Sequence, residues 1–194
     1  SVADWYAIAM ARCGIGEDYE TYLAALKTYV ESAYAENGGL SANKATEWHR
    51  VALAVTALGG DAAAFGTKPD GTTVALSADG CYDCVVEGGP GAQGLNGWIF
   101  ALLALDAGGY QVPEGARYTR ETIIEAIVSA QGEDGGFSLT GDALDADITA
   151  MALQALAPYA DGQAEVIDRA LAALSAAQCA DGGFDSWGAE NAES

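Results

Sequence analysis

An all-α protein built from paired helices is predicted by three features of the sequence. Apolar residues recur at helical spacing in seven separate stretches. Glycine-rich breaks end several of those stretches. And one phrase is written twice, "GEDGGFSLTG" at 132–141 and "CADGGFDSWG" at 179–188, each time after a helical stretch that closes on a glutamine, Gln131 or Gln178. Asp134 and Asp181 are 47 residues apart, as are Leu58 and Leu105; Leu156 follows 51 residues later. Asn37 of "NGGL" stands 97 residues before Asp134, about two such units. A unit of two helices cannot bury its apolar face alone and must stack on its neighbours.

The first helix is expected at 2–13, stopped by Gly14. A second, at 18–35, sets Tyr22, Leu23, Leu26, Tyr29, Val30 and Ala33 on one face and ends at Asn37-Gly38-Gly39. Residues 44–58 form an Ala/Leu/Val-rich helix closed by Gly59-Gly60, and 95–107 repeat that texture before Gly108-Gly109. Helix 119–130 starts at Thr119, a capping residue, and collects Ile123, Ile124, Ile127 and Val128. Helix 145–157 begins among aspartates, which suit a helix start, and 163–178 carries Val166, Ile167, Leu171 and Leu174. Residues 61–93 form a Gly/Asp-rich irregular insert with one short helix near 72–78. Helices 44–58, 95–107 and 145–157 are nearly all apolar, whereas 18–35, 119–130 and 163–178 are amphipathic. The former must be surrounded by protein and the latter can face water. The chain is therefore expected as a single domain, 1–194, of inner and outer helices.

In the doubled phrase, Gln131 and Gln178 close outer helices. Gly135, Gly136, Gly182 and Gly183 permit the sharp reversal. Asp134 and Asp181 can cap turn amides, and Phe137 and Phe184 can fill the space between layers. These ten residues make a structural motif and carry no catalytic signal.

The formal charge is −20, from 28 acidic and 8 basic residues. Nucleic acid and anionic membranes would meet repulsion, and a cationic partner would not. No stretch reaches the roughly 18 apolar residues of a membrane span. "SVADWYAIAM" lacks a basic leader region, so it is not an intact signal peptide. Cys13, Cys81, Cys84 and Cys179 allow two disulfides in three pairings, or buried thiols.

The "Q…DGGF…W" pattern resembles the α/α-toroid repeats of prenyltransferases, squalene and terpene cyclases and transcobalamin-like vitamin B12 carriers. "DADITAMALQALAPYA" (145–160) followed by "AAQCADGGFDSWGAENAES" (176–194) is most similar to repeat domains in exported surface proteins of Gram-positive gut bacteria. The resemblance implies inner helices running parallel inside an outer ring, of about six pairs when closed. It also implies an extracellular or cell-surface location. Three clear pairs are present and the chain stops at "AENAES", where another inner helix would start. An incomplete or open ring is expected, its edge covered by self-association or by further helices of a parent chain.

Parallel inner helices bring their N-termini to one rim. Nine residues before Cys13, Leu58, Leu105 and Leu156 stand Asp4, His49, Asn96 and Asp147, all polar in otherwise apolar helices. With Glu47, Trp48, Trp98 and Asp142 they make a candidate ligand-binding rim, competing with plain capping of helix starts. Terpene cyclases of the resembling family carry an Asp-x-Asp-Asp acid. Here Asp145-Ala146-Asp147 is followed by Ile148, so Asp145 and Asp147 are weak catalytic candidates. Cys81-Tyr82-Asp83-Cys84 has the spacing of half a zinc site, but His49 is the sole histidine, and neither metal nor cofactor is expected. "GGPGAQGLNG" (88–97) lacks the ending of a phosphate loop. The expected function is a non-catalytic binding or scaffold module of a bacterial surface protein, holding a small molecule such as a corrinoid by resemblance to the B12 carriers. The alternatives are a terpene cyclase or prenyltransferase-like enzyme using Asp145 and Asp147, and a purely structural spacer.

Overall fold

The computed structural model describes residues 2–140, 143–186 and 189–191. Among them the fold is mostly helical: α1 (Val2–Arg12), α2 (Tyr19–Asn37), α3 (Thr46–Ala57), α4 (Leu95–Ala107), α5 (Arg120–Val128), α6 (Ala146–Leu156) and α7 (Ala160–Ala177). A short antiparallel ribbon, Phe184–Ser186 with Ala189–Asn191, lies near the C-terminus. Each helix falls within three residues of its expected bounds, because each is set by a periodic apolar face and a local stop. Thr119 caps α5 as expected, its hydroxyl accepting from the Thr122 amide at 3.3 Å.

Helices α1, α3, α4 and α6 lie side by side, each packed on the next. They run parallel. At their starts, Asp4 of α1 pairs with Arg50 of α3 at 3.1 Å, and Thr46 of α3 donates to Gln93, just ahead of α4, at 2.6 Å. At their ends, Arg12, Ala57 and Ala107 line one cavity, and Tyr159, just beyond α6, donates to Asp106 of α4 at 2.8 Å. Helix α5 packs on α4 and runs back along it: Arg120 at its start bonds Asp106 at the end of α4, 2.8 Å apart. Helix α7 packs on α6.

Burial is deepest in the middle of the row. Helix α3 buries Trp48, His49, Val51, Ala52, Ala54 and Val55, and α4 buries seven residues. At the two ends it thins: α7 fully buries Ala170 alone, and α1 exposes Trp5 and Tyr6.

The insert differs from its expected form. Residues 72–75 are not helical, and the expected short helix begins only at Leu76-Ser77. Residues 67 and 73 pair as a β-bridge, and the helical turn comes later, as a π-turn at Ala78–Tyr82, followed by a 3₁₀ turn at Pro90–Gln93. Its conformation is fixed from outside. Tyr34 binds Asp79, His49 binds Gly80, and the Tyr118 amide donates to the Tyr82 carbonyl, while Lys68 of the insert itself pairs with Asp79. The π-turn packs against both α3 and α4.

The doubled phrase folds twice into the same turn. Gln131 donates to the Gly135 carbonyl at 2.9 Å and Gln178 to that of Gly182 at 2.8 Å. Asp134 accepts from the Gly136 amide at 2.9 Å and Asp181 from that of Gly183 at 3.0 Å. The backbone bonds Gly132 N to Gly136 O and Cys179 N to Gly183 O are both 2.8 Å. Gly135 and Gly182 sit at φ of +88° and +94°, conformations that residues with a Cβ rarely adopt. The aromatic that follows is used differently: Phe137 is buried in the core, whereas Phe184 is half-buried.

Candidate functional site

Three of the parallel helices present a half-exposed stripe at helical spacing. It comprises Trp5, Ile8 and Arg12 on α1, Arg50, Leu53 and Ala57 on α3, and Asn96, Phe100, Leu103 and Ala107 on α4. The Trp5 and Phe100 rings meet with centroids 5.8 Å apart and planes tilted by 59°. Helix α3 lies between their helices, so the two rings arch over it and the face is concave there. Toward the C-terminal ends the same face holds a cavity of about 150 Å³ lined by Ile8, Arg12, Leu53, Thr56, Ala57 and Ala107. Such a surface can hold an apolar or aromatic group by area burial and edge-on ring contact.

The helix starts at one end of this face are tied by ion pairs. Arg50 bridges Asp4 at 3.1 Å and Glu47 at 2.6 Å, and Tyr22 of α2 donates to Asp4 at 2.6 Å. Burial raises the Asp4 carboxyl above its usual range, with the Tyr22 hydrogen bond opposing. Tyr22 is pushed up to about 12, by burial first, then by its hydrogen bond to Asp4 and by the Asp4 charge. Burial lowers the Arg50 guanidinium. One guanidinium thus holds two carboxylates, and Tyr22 adds a hydrogen bond to the more buried of them. Asn96 lies on the same stripe, and its Oδ1 is buried without a partner.

The rim expected from the sequence is therefore only partly assembled. Asp4 and Glu47 are joined through Arg50, but Asp4 is buried beneath the face rather than on it. Trp48 and His49 are fully buried and are not at the rim. The Trp48 indole donates to Tyr34 Oη at 2.8 Å; Tyr34 in turn donates to Asp79 at 2.6 Å, whose carboxylate also pairs with Lys68 at 2.8 Å. His49 Nε2 donates to the Gly80 carbonyl at 2.7 Å, so Nδ1 carries the lone pair, and it has no partner. Burial holds His49 down to about 4. Trp98 turns away from the concave face to meet Tyr118 edge-on at 5.5 Å. Asp147 is exposed in the first turn of α6. Asp145 caps α6, accepting from the Ile148 amide at 3.1 Å. Asp142 lies outside the described residues. Cys81 and Cys84 are buried, Cys13 is exposed, and the Cys179 thiol donates to Asp185 at 3.8 Å.

An open cleft of about 890 Å³ also lies at the first Asp-Gly-Gly-Phe turn, between Gln131, Glu133, Phe137 and Leu144. Both oxygens of Asp134 there are taken by backbone amides, those of Gly136 and Leu144.

Sequence reasoning missed Arg50, Tyr22, Leu53 and Phe100. Arg50 carried one usable signal, a cation inside an otherwise apolar helix whose parallel neighbour carries Asp4. No described helix is long and apolar enough to cross a membrane. Comparison with protein-family models, with curated proteins and with solved structures returned no match.

Proposed function

We propose that the chain is a non-catalytic binding or scaffold module of an exported bacterial surface protein, built as an open α/α toroid. The observation that carries this is the concave apolar face roofed by Trp5 and Phe100, beside which the polar groups of the helix starts bind one another. The parallel row and the doubled turn support the toroid: α1, α3, α4 and α6 would be inner helices, and α2, α5 and α7 outer ones. The insert, packed on α3 and α4, would take the place of an outer helix between them. A corrinoid would lay one face of its macrocycle along this surface, its peripheral amides toward water, with one small substituent in the 150 Å³ cavity. Trp5, Tyr6 and Leu171, exposed at the ends of the row, would be covered by further helices of a parent chain or by a second copy.

Native mass spectrometry with a corrinoid, and separately with a prenyl diphosphate and Mg²⁺, tests this. The expected result is a one-to-one corrinoid adduct that is lost in Leu53→Arg and kept in Asp147→Ala. Turnover of the diphosphate, abolished by Asp147→Ala, would replace the binding module with an enzyme working through Asp145 and Asp147. A folded protein that takes up neither ligand would be a structural spacer.

A further inference from the structure

Cys81 and Cys84 sit on a turn where segments from residues 34, 49 and 117–118 meet. Within six residues, Asp79 is held by Tyr34 of α2 and by Lys68, and Gly80 by His49 of α3. Tyr82 accepts from the Tyr118 amide, Asp83 from that of Arg117, and Cys84 from the Arg117 guanidinium. The turn itself is closed by backbone bonds. The Cys84 amide donates to the Cys81 carbonyl at 3.3 Å, the Asp83 amide to Ala78 at 3.0 Å and the Val85 amide to Asp79 at 2.9 Å.

A turn closed from residue i to i+3 brings its end Cα atoms within about 7 Å. A disulfide spans about 4.4–6.8 Å between Cα atoms, a range that a closed turn of this kind overlaps. Both thiols are fully buried, and among the described residues no third His, Cys, Asp or Glu groups with them as a metal set. Burial pushes both thiols up, Cys81 the more strongly. They are therefore poor nucleophiles once folded, unsuited to a redox-active role.

We infer that Cys81 and Cys84 are joined by a disulfide when the chain folds in an oxidising compartment, and that this bond clamps the turn binding α2, α3 and residues 117–118. The oxidant is a disulfide donor, either a small-molecule or a protein disulfide. One cysteine thiolate attacks a donor sulfur and displaces a thiolate. The second attacks the resulting mixed disulfide and releases the other. The dithiol gives up two protons and two electrons, and the donor is reduced to two thiols. Because both sulfurs are inaccessible in the fold, the exchange precedes closure of the turn.

The test is to unfold and reduce the whole chain, refold it in a mixture of reduced and oxidised glutathione, quench with acid, alkylate in denaturant and weigh it. Two alkyl groups are expected, on Cys13 and Cys179, with a mass two hydrogens short and a peptide map linking Cys81 to Cys84. The doubly substituted Cys13→Ser, Cys179→Ser chain should take up no alkyl group. Four alkyl groups on the refolded wild type, two on the double variant, or a bond that maps to Cys13 or Cys179 would each overturn the assignment.

Discussion

The Trp48 indole, the Tyr34 hydroxyl and the Asp79 carboxylate form a buried relay that joins α3, α2 and the π-turn. Each of its hydrogen bonds joins two buried polar groups, and removing one partner leaves a desolvated neighbour short of a bond. Tyr34→Phe strips Asp79 of a donor and the Trp48 indole of its acceptor. Urea unfolding is expected to show a loss of about 1–3 kcal/mol. His49 carries a pH dependence of definite sign. Its ordinary value is 6.5 and burial lowers it to about 4 in the fold. The unfolded chain therefore binds the extra proton first, and stability present above pH 6.5 is lost as pH falls toward about 4. The shift corresponds to about 3 kcal/mol between pH 7 and pH 4. His49→Gln, whose amide can still donate to Gly80, should lose that much less over the same range in pH-dependent urea melts. The raised Asp4 carboxyl acts in the opposite direction near its own range, since its protonation favours the fold.

At the scale of an element, the two Asp-Gly-Gly-Phe turns share one hydrogen-bond pattern but not one environment. A Cβ on Gly135 would stand 2.8 Å from the Arg169 carbonyl of α7, whereas one on Gly182 would meet nothing within 4 Å. Gly182→Ala therefore pays only for positive φ, about 1–2 kcal/mol, and Gly135→Ala should lower the thermal midpoint further. Equal losses in the two variants would show that φ alone decides. This turn was legible in the sequence because its chemistry is local: Gln, Asp and Gly reach one another within five residues. The seven helices were legible for the same reason. The insert was not, since Asp79, Gly80 and Tyr82 take their partners from residues 34, 49 and 118. The rim was half legible. Counting nine residues back found the polar positions, but each step along a helix turns the side chain by about 100°. Thus His49 faces the π-turn while Arg50, one residue on, reaches Asp4. Which of the two looks along the row depends on a neighbour that the sequence of α3 does not contain.

For the whole molecule, the exposed apolar residues at the ends of the row are set against a charge of −20. Repulsion between copies has long reach at low salt and is screened beyond about 10 Å at 0.1 M. Sedimentation is expected to give a monomer at low ionic strength and association that grows with added salt. Trp5→Glu together with Tyr6→Glu should remove that growth, and association that weakens with salt would mean the contact is ionic instead. The parallel row has a further consequence, a mechanical one. Helices packed mainly on their neighbours transmit a pull from one to the next, and the least embedded ones, α1 and α7, stand where a pull on the two ends of the row would act. Under tension the molecule should come apart like stitching, in steps of roughly one helix pair from the outside inward. The last seam to give would be α3 against α4, where the π-turn is stitched to both.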